Sequence, residues 1–568
     1  MKLKFKHQKF QADAAAAVCD VFVGQPNISS SYIIDKGKVI GEEQQSFFRE
    51  KEFTGFNNKR VILPDDVIKK NLQKIQRQYQ IEPSSRLEGK YNLTIEMETG
   101  VGKTYTYIKT MFELNKLYGW SKFIVVVPSV AIREGVFKSF DLTKDHFAEE
   151  YHKKIRFFIY NSQDLTKIDQ FTHDSGINVM IINSQAFNAK GKDARRIYMK
   201  LDSFRSRRPI DVIAATNPIL IIDEPQSVEG AATKERLKEF QPLMTLRYSA
   251  THKKDSIYNL VYRLDALEAY NKRLVKKIAV KGISVTGTTA IENYLYLENI
   301  NLSGDRPPSA SLEFEVKGAK APRKVTKIIR EGYNLFERSG GLEEYTGYTV
   351  ARISGLTNTV EFTNGVLISA GDVIGSVNEE HIRRIQIRET IKSHLERERQ
   401  LFYEGIKVLS LFFIDEVAKY KQYDESGTAL NGEYARIFEE EYEAALAERQ
   451  LAIGEDDYLD YLDKIKADKT HTGYFSIDKK SNRLKNSKIG DKKENTSDDA
   501  DAYDLIMKDK ERLLDRREPV RFIFSHSALR EGWDNPNVFQ ICTLKQSGSD
   551  VRKRQEVGRG LRLCVNNN

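Results

Sequence analysis

The stretch Tyr91-Asn-Leu-Thr-Ile-Glu-Met-Glu-Thr-Gly-Val-Gly-Lys-Thr104 limits the folds open to this chain more than any other. Its apolar-polar run up to Met97 predicts a strand, Gly100 and Gly102 predict a turn, and a helical pattern starts at Lys103. Glycines in such a turn let backbone N–H groups close on phosphate oxygens, and the helix start adds its partial positive charge. In that geometry Thr99, Gly100, Val101 and Gly102 form the cradle. Lys103 then reaches the outer phosphates of a nucleotide, and the Thr104 hydroxyl meets Mg2+. One position departs from the usual pattern: Met97 stands where a first glycine is expected. Taken alone, Gly-Lys-Thr after a strand fits a plain strand-turn-helix equally well, so the rest of the chain has to decide.

Downstream, three short runs of β-branched residues lack alternation: Lys122–Ser129, Val179–Gln185 and Pro218–Glu224. Such runs predict strands buried on both faces, as in a doubly wound parallel sheet. Ligands of these sheets sit outside the carboxyl ends of the strands, where Ser129, Asn183, Asp223 and Glu224 fall. Two adjacent acids at the end of an apolar strand need a cation or water nearby. Asp223 is therefore a candidate Mg2+ ligand through the metal's water shell, and Glu224 a candidate base that orients and deprotonates an attacking water. Leu246–His252 forms another strand whose Ser249 and Thr251 hydroxyls can link the nucleotide site to the rest of the molecule. Upstream, Phe10–Phe22 reads as an amphipathic helix, and Gln11 at its start is placed to read an adenine edge. Residues 25–60 are polar and irregular, and Lys69–Tyr79 is a basic helical run expected to be a solvated face.

From Lys281 to about Asp372 the pattern changes to period two, with Asn364-Gly365 as a hairpin turn, which predicts an antiparallel β insertion. Asp305, Glu315 and Lys317 match the spacing of a metal-dependent nuclease, a match that alternating strands produce freely. A helix over Ile382–Tyr403 and a strand over Ile406–Ile414 open a second α/β region. Glu433–Gln450 is a charged amphipathic helix, and the polar Lys479–Asp501 is expected to be a mobile loop. Near the end, Gln555-Glu-Val-Gly-Arg-Gly-Leu-Arg562 predicts two arginines on one helix face. Arg559 and Arg562 can then neutralise charge on a transferring phosphoryl group, with Gln555 orienting the water or the γ-phosphate.

Composition sets the bounds. A chain of 568 residues with 40% hydrophobic and 30% charged residues is a globular protein of three or four domains. Its net charge of +9 permits a nucleic-acid partner without requiring one. Cys19, Cys542 and Cys564 are too far apart for a zinc spacing and make no disulfide framework. No signal-type apolar core follows the basic N-terminus and no window is long enough to span a membrane, so a cytoplasmic location is expected.

In this order Gln11, Lys103-Thr104, Asp223-Glu224, Ser249-Ala-Thr251, Gly532-Trp-Asp534 and Gln555–Arg562 resemble the motif set of superfamily-two helicase motors, many of which also lack the first loop glycine. Within that superfamily, Asp223-Glu-Pro-Gln226 and Leu529-Arg-Glu-Gly-Trp-Asp534 resemble the restriction (Res) subunit of type III restriction-modification enzymes, and the likeness runs from about residue 5 to 564. It implies two RecA-like P-loop lobes, parallel sheets flanked by helices, with the antiparallel β insertion between them. Lobe one would occupy residues 1–280 with an insertion at about 25–85. The β-rich insertion would occupy 281–380, and lobe two 381–568 with an insertion at about 425–515. The resemblance also implies ATP and Mg2+ as cofactors, Asp534 at the nucleotide, duplex DNA as substrate, and a methyltransferase (Mod) partner that binds S-adenosylmethionine. Family members carry a nuclease domain after the motor. This chain stops just beyond Arg562, so DNA cleavage is not expected of it alone. An RNA helicase or remodelling ATPase and a non-catalytic DNA-binding assembly subunit stand as alternatives.

Overall fold

The computed structural model describes residues 7–30, 32–33, 55–89, 91–188, 196–201, 204, 206–228, 230–252, 257–285, 294–375, 378–424, 428–450, 457–478, 483–485, 512–526, 535–545, 553 and 556–564. The chain divides into two compact units. The first comprises Met1–Lys277, Glu398–Ala418 and Lys469–Asn568, the second Ile278–Arg397 and Lys419–Asp468.

The first unit is built on two parallel sheets. The larger has seven strands: β1 (Asn92–Met97), β2 (Lys122–Val127), β3 (Ile155–Ile159), β4 (Ile177–Asn183), β5 (Ile219–Asp223), β6 (Met244–Ser249) and β7 (Leu260–Leu264). Their spatial order is β3-β4-β2-β5-β6-β1-β7, and every pairing is parallel. Alternate residues of β2 go to opposite cores. Phe123, Val125 and Val127 join a cluster with helices α1 (Lys9–Asp20) and α3 (Lys103–Tyr118), whereas Ile124 and Val126 pack with Ile168, Phe171 and Ile213. Burial on both faces is the reason these runs are apolar throughout. Between those helices, α2 (Asp65–Gln78) buries Ile68, Leu72 and Ile75 and exposes Lys70 and Lys74, so only one of its faces is solvated. Helix α3 stops at Gly119, whose φ of +78° lets its N–H cap the Asn115 carbonyl.

The second unit holds a long antiparallel hairpin, β8 (Leu295–Ser303) and β9 (Arg306–Val316), followed by the edge strand β10 (Arg323–Ile329). A three-stranded sheet, β11 (Val350–Ser354), β12 (Thr359–Phe362) and β13 (Leu367–Ser369), turns at Asn364-Gly365 as the dipeptide predicts, with Gly365 at φ +83°. Asp305 lies in the β8–β9 turn and Glu315 at the far end of β9. Ten extended residues separate them by about 33 Å, so the nuclease-like spacing does not converge on one metal. No group of three or more metal-ligating His, Cys, Asp or Glu occurs among the described residues.

The smaller parallel sheet of the first unit has β14 (Leu409–Phe413), β15 (His471–Tyr474), β16 (Phe522–Ser525) and β17 (Val538–Thr543) in the order β15-β16-β14-β17. Leu409, Leu411, Phe413, Ile523 and Val538 fill one face, and Phe412 stacks on Phe524 with centroids 4.5 Å apart on the other. The architecture is therefore α/β: two parallel sheets, with the antiparallel strands lying between them in the sequence.

Candidate functional site

Strands β1 and β5 are the two neighbours of β6, so the segments leaving their carboxyl ends meet across one strand. After β1, Gly100 and Gly102 take φ of +88° and +90°. That left-handed backbone carries the chain from the strand to Lys103 within five residues, and Gly102 is the N-cap of α3. A Cβ on Gly102 would lie 2.6 Å from Gln11 Nε2, and one on Gly100 would lie 3.1 Å from Arg562 Cγ. Both glycines are thus required by conformation and by close approach.

Lys103 opens α3 and its Nζ donates to Glu224 Oε1 at 2.6 Å, an ion pair with side chains 11% and 21% exposed. Gln226 Nε2 donates to the other oxygen of that carboxylate at 2.5 Å, and Ser249 Oγ lies 2.7 Å from it. Ser249 in turn accepts from the Thr251 N–H at 3.1 Å. Burial alone would raise the Glu224 carboxyl, but the Lys103 charge and these hydrogen bonds outweigh it and hold the group ionised. Glu224 also takes φ +53°, a left-handed conformation that a non-glycine residue adopts at a cost of about 1–2 kcal/mol. Its own N–H is tied to the Tyr248 carbonyl at 3.0 Å, which helps to hold the turn.

Asp223, the last residue of β5, is buried; burial first and the Glu224 charge second push its carboxyl up to about 7. The buried Tyr107 hydroxyl reaches Asp223 Oδ2 at 3.5 Å and also interacts with Thr104. Asp223 and Thr104 therefore share a neighbour, and a buried carboxylate with raised proton affinity beside a hydroxyl is a donor set suited to a hard divalent cation. Gln11, buried on α1, donates from Nε2 to the Val101 carbonyl at 3.0 Å, so it braces the loop. Val101 is buried beneath the loop.

The chain's final described segment faces the same loop. A Cβ on Gly558 would meet the Thr99 side chain at 3.1 Å, and Arg562 runs along Gly100. Lys276 anchors this arrangement from behind. Its N–H donates to the Leu561 carbonyl at 2.8 Å, and its Nζ to the Pro536 and Val538 carbonyls at 2.6 and 2.7 Å. Burial pushes that ammonium down to about 8. The two arginines do not share a helix face: the helical backbone ends at Gly558, Arg559-Gly560 is a turn, and Arg562 lies beyond it. Glycines on both sides of Arg559 disfavour helix at the point where the periodicity alone would have continued it. Gln555 and Asp534 lie outside the described residues. Tyr107, Gln226 and Lys276 were not among the residues singled out for the site. Tyr107 follows Thr104 by one helical turn, so helical spacing was its available signal, and Gln226 belongs to the Asp223-Glu-Pro-Gln226 motif.

A glycine turn at a helix start, a lysine paired with a strand-end glutamate, and an arginine segment following a second parallel sheet together have the arrangement of a P-loop nucleotide site. Residues 66–254 match the family described as Type III restriction enzyme, res subunit. The chain is 34% identical to the Type III restriction-modification enzyme EcoPI Res subunit of Escherichia phage P1 over 535 residues, 90% of this chain and 51% of that protein. It is also 34% identical to the EcoP15I Res subunit of Escherichia coli, over 84% of this chain and 48% of that one. Among solved structures, the ATP-dependent Type ISP restriction-modification enzyme LlaBIII bound to DNA aligns with 91% of this chain and 28% of its own, at 11% identity and a TM-score of 0.38. This chain is thus similar to type III Res subunits, and it spans about half the length of those relatives.

Proposed function

We propose that this chain is the ATP-driven motor portion of a type III restriction enzyme Res subunit, hydrolysing ATP on duplex DNA. The observation that carries the reading is the Lys103–Glu224 pair set beneath a glycine loop that Arg562 also approaches. In this reading Thr99–Gly102 cradle the phosphates, Lys103 leaves Glu224 for the outer phosphates, and the freed Glu224 accepts the proton of the attacking water. Thr104 and Asp223 would hold Mg2+, which offsets phosphate charge when bound. Arg559 and Arg562 neutralise charge on the transferring group, Gln11 reads the base, and Gln555 and Asp534 complete the site.

Nucleotide-driven closing and reopening of the two parallel-sheet lobes would move the motor along DNA, gripping backbone phosphates without regard to sequence. The domain assignment follows: residues 1–280 and 381–568 as the two lobes, and 281–380 as the β-rich insertion. A methyltransferase (Mod) subunit supplies site recognition and binds S-adenosylmethionine. The location is the cytoplasm; among the described residues no helix is long and apolar enough to cross a membrane. Mg2+-dependent ATP hydrolysis, measured alone, with duplex DNA and with RNA, tests the reading. Stimulation by duplex DNA supports it, and stimulation by RNA alone would redirect it to an RNA-dependent ATPase.

A further inference from the structure

The segment Lys317-Gly-Ala-Lys-Ala-Pro-Arg-Lys-Val-Thr-Lys-Ile-Ile-Arg330 carries six cations in fourteen residues and no acid. All six are exposed, and the segment runs into β10, the outer strand of its sheet, hydrogen-bonded only to β9 among the described residues. Two of the nearby acids, Glu313 and Glu331, are already engaged. Glu313 on β9 is buried and held by His381, by Arg388 at 2.5 Å and by the Tyr294 hydroxyl, which together keep its carboxyl down near 2 against the opposing effect of burial. Glu315 lies directly opposite Lys324 in the register, and Lys324 is turned over the Tyr294 ring at 3.7 Å. Glu331 accepts the Ile353 N–H at 3.2 Å. Lys317, Lys320, Arg323, Lys327 and Arg330 are left exposed, with no ion pair to any described acid.

One or two lysines are enough to guard a sheet edge from pairing with another chain. Five uncompensated cations along this edge strand and the residues flanking it are more than that role needs, and they repel one another unless an anion lies across them. From Arg323 to Arg330 the strand extends about 23 Å, the length over which one strand of a duplex presents about seven phosphates.

We propose that β10 and the segment leading into it are a phosphate-backbone contact for duplex DNA, separate from the nucleotide site. This rests on the motor reading for its choice of duplex DNA as the polyanion. The contact is sequence-independent: the cations meet phosphates, release counterions, and make binding steeply dependent on salt.

The test uses the full chain and a fluorescent duplex, with anisotropy titrations between 50 and 300 mM salt. Lys320→Ala/Arg323→Ala/Lys327→Ala/Arg330→Ala is expected to bind at least tenfold more weakly at 100 mM and to flatten the slope of log Kd against log salt by about 2 to 4. Its ATP hydrolysis without DNA should equal wild type, which shows that the fold stands. Lys320→Arg/Lys327→Arg should bind as wild type does. The single variant Lys327→Glu, an exposed change, should weaken binding in the same direction even if the quadruple variant fails to fold. Unchanged affinity and slope in the variants, with DNA stimulation of ATP hydrolysis intact, would overturn the contact and leave the motor reading standing. Self-association of the variants at unchanged affinity would assign the cations to edge protection and overturn it as well. A wild-type chain that neither binds duplex nor is stimulated by it would overturn both.

Discussion

Replacing Glu224 by Gln separates the two tasks assigned to that carboxylate. Lys103 is held by Glu224 at 2.6 Å, so a phosphate must take the ammonium away from a charged partner in a largely buried setting. A charge-assisted hydrogen bond is worth roughly 1.5–3 kcal/mol and a neutral one roughly 0.5–1.5. Glutamine keeps the shape, and with its oxygen accepting from Gln226 and Ser249 its amide nitrogen faces Lys103 and accepts nothing, which releases about 1.5–3 kcal/mol of competition and corresponds to roughly ten- to a hundredfold tighter ATP binding. The same substitution removes the base, and turnover should fall by about 10²–10⁴. Calorimetric titration with Mg2+-ATP gives the first quantity, and phosphate release under saturating ATP gives the second. Weaker ATP binding in Glu224→Gln would refute the competition argument, and a normal turnover rate would refute the role of the carboxylate.

Other outcomes follow from the same geometry. Lys103→Ala should abolish ATP turnover, checked by phosphate release. Arg562→Ala should leave ATP binding within a few-fold of wild type and lower turnover by about 10³ or more, with steady-state rate and nucleotide affinity measured side by side. Gly102→Ala places a methyl group 2.6 Å from Gln11 Nε2 at a φ of +90°, so nucleotide binding should be lost and the thermal midpoint lowered. Arg521, just before β16, and Glu398, on the helix Glu379–Phe402, form a fully buried pair at 2.9 Å; Glu398→Ala should cost about 3–5 kcal/mol in denaturant unfolding. Burial pushes the nearby Lys407 ammonium down to about 7. The unfolded chain then holds more protons than the folded one above that pH, so stability should rise between about pH 7 and 9.5, and Lys407→Met should flatten the rise.

The parallel core was legible because its central strands are buried on both sides. Lys122–Val127, Ile177–Asn183 and Ile219–Asp223 are buried along their whole length and carry the apolar runs Phe123–Val127, Val179–Ile182 and Ile219–Ile222, and such continuous runs admit few other readings. Strands Ile155–Ile159 and Leu260–Leu264 escaped notice for the complementary reason. They are the two edges of the sheet, and Arg156 and Arg263 interrupt their apolar pattern where one side meets solvent. At the site, residue types at fixed offsets pointed to Lys103, Thr104, Asp223 and Glu224. No local pattern could show that Glu224 takes φ +53°, or that Lys276 ties the Pro536 and Val538 carbonyls behind the loop. Such contacts join residues more than 250 apart, and they depend on sheet order rather than on periodicity. The helix expected through Arg562 failed at Gly558 and Gly560, where conformational entropy outweighs a repeating pattern.

The most direct test of the motor assignment is Mg2+-dependent ATP hydrolysis by the wild-type chain with and without duplex DNA, beside Lys103→Ala and Arg562→Ala. The account predicts turnover that duplex DNA stimulates and that both substitutions remove. No hydrolysis by the wild type under any of these conditions, or equal hydrolysis by all three proteins, would contradict it.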